Sequence, residues 1–163
     1  MKIEKKLYVI VHNVRSAHNV GAIFRTADGL GVEGMYLTGY TPAPYRENEA
    51  PYSTDAQKRM SKTALGAEKF VPWEKRVDIF SLISDLKKQG FQIISLELAP
   101  ESVDIRKFQP DFQCALIVGT ETTGIDNAIL AASDAVVSIP MRGRKESFNV
   151  SVAAGIAMYE ILK

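Results

Sequence analysis

The sequence predicts an α/β domain built on a largely parallel sheet flanked by helices. Three observations point there. Short apolar segments rich in β-branched residues alternate with segments whose apolar residues recur at helical spacing. Cys114-Ala115-Leu116-Ile117-Val118 is apolar throughout, the pattern of a strand covered on both faces. The chain has 163 residues, 46% apolar and 24% charged, the length and balance of one globular domain, so residues 1–163 are read as a single unit.

Each element follows from its own residues. Leu7-Tyr8-Val9-Ile10-Val11 reads as the first strand. After a polar stretch over residues 12–18, Val20, Ile23, Phe24, Ala27 and Leu30 mark a helix, and Gly31 supplies its stop. Met35-Tyr36-Leu37-Thr38 is the second strand. Residues 40–61 carry Pro42, Pro44 and Pro51 and read as a long loop ending in a short helix over residues 55–60. Lys69-Phe70-Val71 is expected as a third strand, closed by Pro72. Ile79, Phe80, Ile83 and Leu86 mark a helix with Lys87 and Lys88 in its last turn and Gly90 behind it. Residues 91–98 form the next strand and residues 114–118 the central one. Asp126 opens a short helix through Ala131, residues 135–139 are the last strand, and Val150, Ala153, Ala157 and Ile161 stripe the closing helix.

Composition narrows the functional classes. Twenty Lys and Arg against nineteen Asp and Glu leave a net charge of +1, which excludes a strongly basic coat protein but not a local basic patch. One cysteine, Cys114, and two histidines, His12 and His18, offer no disulfide and no cysteine- or histidine-rich metal centre, so no metal is expected. The charged start over residues 1–6 precedes an apolar run too short for a signal peptide, and nothing approaches a membrane span. The expectation is a cytoplasmic protein without a membrane partner.

In a parallel sheet, ligands bind beyond the carboxyl ends of the strands. Three polar clusters fall there. The first, residues 13–27, opens the first helix. Arg25 lies about 40–60° around that helix from Gly21, Ala22, Asp28 and Gly29, on a nearly bare face suited to a partner backbone or a phosphate. The plain alternative is an exposed Arg25–Asp28 pair. The second cluster, Gly119-Thr120-Glu121-Thr122-Thr123-Gly124-Ile125, allows a tight turn with exposed amides, and Ile125 stands where a P-loop needs lysine. The plain alternative is an ordinary strand-to-helix turn. The third, residues 139–151, is a basic loop in which Ser147, Asn149 and Ser151 are all possible helix caps. Its Arg142, Arg144 and Lys145 suit phosphate contacts or a solvated charge run. His18 adjoins Asn19, Trp73 reads as packing, and Cys114 as a core residue.

Jointly these segments resemble the three motifs of the SpoU-type (TrmH-like) branch of the SPOUT superfamily of RNA methyltransferases. The matching residues are Asn19, Gly21, Arg25 and Ala27; then Gly119, Glu121, Gly124 and Ile125; then Ile139-Pro140-Met141 with Ser147-Phe148-Asn149-Val150-Ser151. The resemblance covers nearly the whole chain. Phe148 stands where leucine is common, and no separate RNA-binding domain is evident.

The resemblance implies a deep trefoil knot at the C-terminal end, S-adenosylmethionine as methyl donor and a ribose 2′-hydroxyl of RNA as acceptor, with tRNA favoured over rRNA. It implies a cofactor pocket lined by Leu96, Gly119, Ile139, Met141, Ser147 and Phe148. It gives Arg25 the catalytic role, with Asn19, Glu121, Ser147 and Asn149 around it. RNA is expected on Arg15, Lys58, Arg59, Lys62, Arg142, Arg144 and Lys145. A homodimer is expected, because Gly21, Ala22 and Gly29 on the first helix and Ala153, Ala154, Gly155 and Ala157 on the last permit close packing; the plain alternative is packing against the sheet within the chain. The competing readings are a non-catalytic RNA-binding or assembly factor on the same fold, an rRNA 2′-O-methyltransferase and a simple nucleotide-binding domain.

Overall fold

The computed structural model describes residues 4–163; residues 1–3 of the charged start lie outside them. The order is β1 (Lys6–His12), α1 (Ala17–Leu30), β2 (Gly34–Thr38), α2 (Asp55–Ala64), β3 (Trp73–Arg76), α3 (Ile79–Lys88), β4 (Gln92–Leu96), β5 (Val103–Asp104), β6 (Gln113–Val118), α4 (Asn127–Ala132), β7 (Ala135–Ser138) and α5 (Val150–Leu162). Short 3₁₀ turns lie at Ala67–Lys69 and Ile105–Lys107.

Among the described residues, seven strands form one sheet in the order β3-β2-β1-β6-β4-β7-β5. Every pairing is parallel, as expected. The pleat sorts the apolar residues into two cores. Leu7, Val9 and Val11 with Cys114, Leu116 and Val118 pack beneath α1, α2 and α5. Ile10, Ala115 and Ile117 face α3 and α4 through Leu82, Ile83, Leu86 and Ile129. The uniformly apolar strand is thus the one covered on both sides.

The chain runs outward from β1 to β3 and then returns to the far side of β1, with β6 beside it. That reversal sets the carboxyl ends of β1 and β6 side by side, the topological position beside which ligands bind in sheets of this kind. It brings the start of α1 and the turn after β6 together, although they are about a hundred residues apart.

The third strand differs from expectation. Residues 67–69 form a 3₁₀ turn after Gly66 at φ 92, and Phe70 is exposed. The strand that pairs with β2 is Trp73–Arg76, beyond Pro72. Its Glu74, Lys75 and Arg76 belong to a sheet edge and carry no apolar alternation, so the pattern was silent there. The helix expected over residues 55–60 runs to Ala64, started by a capping box between Thr54 and Gln57. Strand β4 ends at Leu96, and the two-residue β5 gave no signal.

Gly21 also differs. It does not sit bare for a partner. It is buried, and a Cβ there would collide with the Met60 carbonyl oxygen and Thr63 Oγ1 of α2. Gly155 likewise faces Thr26 of α1, while Ala154 and Ala157 are fully buried. These small residues serve helix crossings within one chain. Gly21→Ala is therefore expected to destabilise the fold by about 3 kcal/mol, the upper end for overpacking against backbone. Urea unfolding of the variant measures it, and a change below about 0.5 kcal/mol, the ordinary surface value, would show that α2 does not press on α1 here.

Candidate active site

A cleft of about 520 Å³ opens where the carboxyl ends of β4, β6 and β7 meet the loop before α5. All six residues expected to hold a cofactor line it: Leu96, Gly119, Ile139, Met141, Ser147 and Phe148. The size is that of a small-molecule site. Leu96, Leu98, Ile139, Met141 and Phe148 provide apolar walls for a planar base. The ionisable residues of the lining are Glu97, Glu121 and Glu146, with no Lys, Arg or His among them. Such a lining suits a cation and repels the phosphates of a nucleotide. S-adenosylmethionine carries a sulfonium and an ammonium against one carboxylate, a net cation beside an adenine, so these residues fit it.

The turn after β6 is tight, as expected. Thr120 and Gly124 bridge across it, Gly124 takes φ 68, and Glu121, Thr122 and Thr123 project outward. Glu121 is then tied to the other two clusters through one side chain. Asn19 Nδ2 donates to Glu121 Oε1 at 2.5 Å, and Asn149 Nδ2 donates to Asn19 Oδ1 at 3.2 Å. Asn19 lies in the first turn of α1, which Ser16 caps by accepting from the Asn19 backbone N–H. Among the three possible caps of α5, Asn149 takes the position and accepts from the Ser151 backbone N–H at 2.9 Å. Its side chain therefore starts α5 with the oxygen and holds Asn19 with the nitrogen. Ser147 sits two residues earlier, in the cleft wall.

Arg25 is not part of this hydrogen-bonded cluster. It lies about 9 Å further along α1 and about 120° around it from Asn19. It is exposed and does not line the cleft. The Arg25–Asp28 pair does not form, and among the described residues Arg25 makes no ion pair at all. Arg15, Lys58, Arg59, Lys62, Arg142, Arg144 and Lys145 are also exposed and without ion pairs among the described residues. Lys58, Arg59 and Lys62 stand on the outer side of α2, which Thr63 ties to the start of α1 by donating to the His18 carbonyl at 2.8 Å. Arg142, Arg144 and Lys145 are on the loop that leads to α5, between Met141 and Glu146 of the cleft lining, and do not line the cleft themselves.

One cleft residue escaped the sequence. Glu97, in the turn after β4, accepts from the Ile125 backbone N–H through Oε2 at 2.8 Å and from the Leu98 N–H through Oε1 at 2.9 Å. It fastens the turn carrying Glu121 to the opposite wall of the cleft. A lone acid after a strand carries no such message without the tertiary fold. Three other candidates recede. His12 is buried, its Nδ1 lies 2.8 Å from Thr38 Oγ1, and burial lowers its basicity although Asp126 pulls the other way. Burial pushes the Cys114 thiol up to about 11, so it stays protonated in the core. Trp73 is half-buried under the Arg46 guanidinium, 3.6 Å from the ring centre. Among the described residues no group of His, Cys, Asp and Glu could hold a metal, and no helix is long and apolar enough to cross a membrane.

Comparison with known proteins agrees with this geometry. A tRNA (guanosine(18)-2′-O)-methyltransferase of Aquifex aeolicus is 34% identical over 161 residues, 98% of this chain and 70% of that protein. The crystal structure of a TrmH/SpoU tRNA modifying enzyme from A. aeolicus superposes with a TM-score of 0.78 at 33% identity, covering 97% of this chain and 76% of that one. An AdoMet-bound rRNA methyltransferase from Sinorhizobium meliloti superposes with a TM-score of 0.82 at 27% identity, over 96% of this chain but 56% of that one. The SpoU rRNA methylase pattern matches residues 6–159, from the first strand to the last turns of α5, and the chain belongs to that family.

Proposed function

We propose that this chain methylates a ribose 2′-hydroxyl of tRNA and does so as a homodimer. RNA methyl transfer and the S-adenosylmethionine donor come with the family. The observation that carries the cofactor reading in this chain is the cleft with three carboxylates and no basic residue, which favours a sulfonium over a nucleotide phosphate. The relative at 34% identity, named for a guanosine in tRNA, supports tRNA over rRNA. The single domain and the knotted C-terminal end implied by the resemblance belong to the same reading.

The dimer rests on α5. Its exposed side carries Val152, Ile156 and Tyr159 at i, i+4 and i+7, with Val152 50% and Tyr159 64% exposed. An apolar stripe of that kind on a closing helix suits a second copy. The dimer also answers the position of Arg25, which one chain leaves away from its own Asn19–Glu121–Asn149 cluster. We infer that Arg25 serves the cleft of the second copy.

When bound, S-adenosylmethionine supplies an electrophilic methyl group. The chain's residues do the rest. Leu96, Ile139, Met141 and Phe148 wall the adenine and exclude water, and Gly119 lets the turn approach closely. Asn19 fixes Glu121 and Asn149, while Ser147 holds the loop against cofactor and ribose. Arg25 acts as a charged donor. A guanidinium has a pKa of about 12.5–13.8 and does not serve as a base, so it orients the RNA phosphate and stabilises charge growing on the 2′-oxygen. The phosphate or solvent takes the proton.

Radiolabelled S-adenosylmethionine with unfractionated tRNA and, separately, rRNA tests the reading. Label is expected in tRNA ribose. Binding without transfer would favour the assembly factor, and label confined to rRNA would overturn the tRNA assignment. Sedimentation giving a monomer near 18.0 kDa would refute the dimer.

A further inference from the structure

At the carboxyl ends of β1 and β2 a cation from the loop before α1 meets an aromatic ring from the turn after β2, and hydrogen bonds tie the two segments together. The Arg15 guanidinium lies over the Tyr40 ring, 5.0 Å from its centre. Tyr40 is 51% exposed, although it sits at the end of a buried strand pair. The turn that presents it is tied from several directions. The Tyr40 backbone N–H donates to Asn13 Oδ1 at 3.1 Å, and the Gly39 N–H donates to the Val77 carbonyl at 3.1 Å. Lys75 Nζ donates to the carbonyls of Gly39 at 2.8 Å and Thr41 at 2.5 Å. Thr41 Oγ1 donates to the Val11 carbonyl at 2.9 Å and accepts from the Val14 N–H at 3.1 Å.

Two backbone positions are bent to make this possible. Asn13 takes φ 53, a left-handed conformation that costs a non-glycine residue energy. Gly39 takes φ 60, and a Cβ there would collide with Asn13 Oδ1. Core packing does not need such an arrangement at an exposed tip. A preorganised ligand contact does.

We propose that Arg15 and Tyr40 form a stacking platform for an unpaired RNA base flanking the nucleotide that enters the cleft. The proposal rests on the reading that this chain acts on RNA. Three observations favour a base as occupant. An aromatic ring backed by a guanidinium is the surface on which unpaired bases stack. The Arg15 charge is not neutralised by any carboxylate among the described residues, whereas the similar Arg46–Trp73 pair is occupied by Glu49 at 3.2 Å. Position also fits: Arg15 directly precedes the cap of α1, and Asn19, the hub of the reaction cluster, lies in the first turn of that helix. A nucleic acid strand leaving the cleft past the start of α1 meets the platform next.

Stacking and phosphate contact leave different signatures. Filter binding of unfractionated tRNA at several salt concentrations reads both. Tyr40→Ala is expected to weaken binding by about 5- to 150-fold, the range for losing one base–aromatic stack, by the same factor at every salt concentration. Tyr40→Phe, which keeps the ring, is expected to restore affinity to within about twofold. Lys62→Ala, a phosphate-contact control, should instead lower the salt slope by about one. Calorimetry with S-adenosylmethionine checks that each variant keeps its cleft. Unchanged tRNA binding by Tyr40→Ala overturns the platform, and so does a loss accompanied by a shallower salt slope, because the ring would then only place Arg15 against a phosphate. Wild-type protein that binds tRNA through Tyr40 but transfers no label would refute the catalytic reading and leave the platform standing. Label transfer unaffected by Tyr40→Ala together with unchanged binding would refute the platform alone.

Discussion

Arg25→Ala is expected to bind S-adenosylmethionine as wild type does, remain dimeric, and lose a factor of about 10²–10⁴ in turnover, the range for one positioned charged group. The side chain is exposed and has no ion pair among the described residues, so removing it should disturb the fold by no more than about 0.5 kcal/mol. Single-turnover kinetics with saturating cofactor separate this loss from binding. Arg25→Lys should rescue poorly, because an ammonium lacks the planar fork that holds a phosphate and a 2′-oxygen together. Near-normal turnover by Arg25→Ala would remove it from the mechanism.

Gly119→Val is expected to weaken S-adenosylmethionine binding by about 10- to 100-fold, the equivalent of overpacking a tight site. The reason is more local than the sequence implied. A Cβ at Gly119 would stand 2.7 Å from Ile125 Cγ1 and 3.2 Å from the Gly124 carbonyl oxygen. Ile125 is buried, so it has little room to give way. The turn itself must shift, and Glu97 and Glu121, both anchored through it, shift with it. Isothermal titration calorimetry measures the loss, and wild-type affinity in this variant would misplace the cofactor. The two variants also test each other. If Arg25 serves the second copy's cleft, mixing Arg25→Ala with Gly119→Val regenerates one intact site in each heterodimer, or about a quarter of wild-type turnover after random exchange. If Arg25 serves its own cleft, mixing restores nothing.

Much of the fold is legible in the sequence. The continuous apolar run 114–118 and the β-branched run 7–11 fall on the two central strands, because a strand covered on both faces has no polar side to show. Val20, Ile23, Phe24 and Ala27 with Gly31 behind them mark α1 and its left-handed end. The six residues expected around the cofactor all line one cleft, since turns that follow parallel strands must gather at one end of the sheet. Edge strands were not legible: β3 and β5 face solvent, and nothing in their side chains had to alternate.

Pattern and chemistry are properties of neighbouring residues, and the chain order alone determined them: strand, helix, acid-bearing turn, basic loop. Meetings between distant residues are not. Asn19 reaches across 102 positions to Glu121, and Asn149 reaches across 130 to Asn19, only because the chain reverses at β1 and lays β6 beside it. Glu97 became a cleft residue for the same reason. Gly21 and Gly155 read as places for close packing against a second copy, and only the packing of α2 and α5 onto α1 turned them into internal contacts. Side-chain spacing on one helix says which residues share a face. It takes the crossing of two helices to say what that face meets.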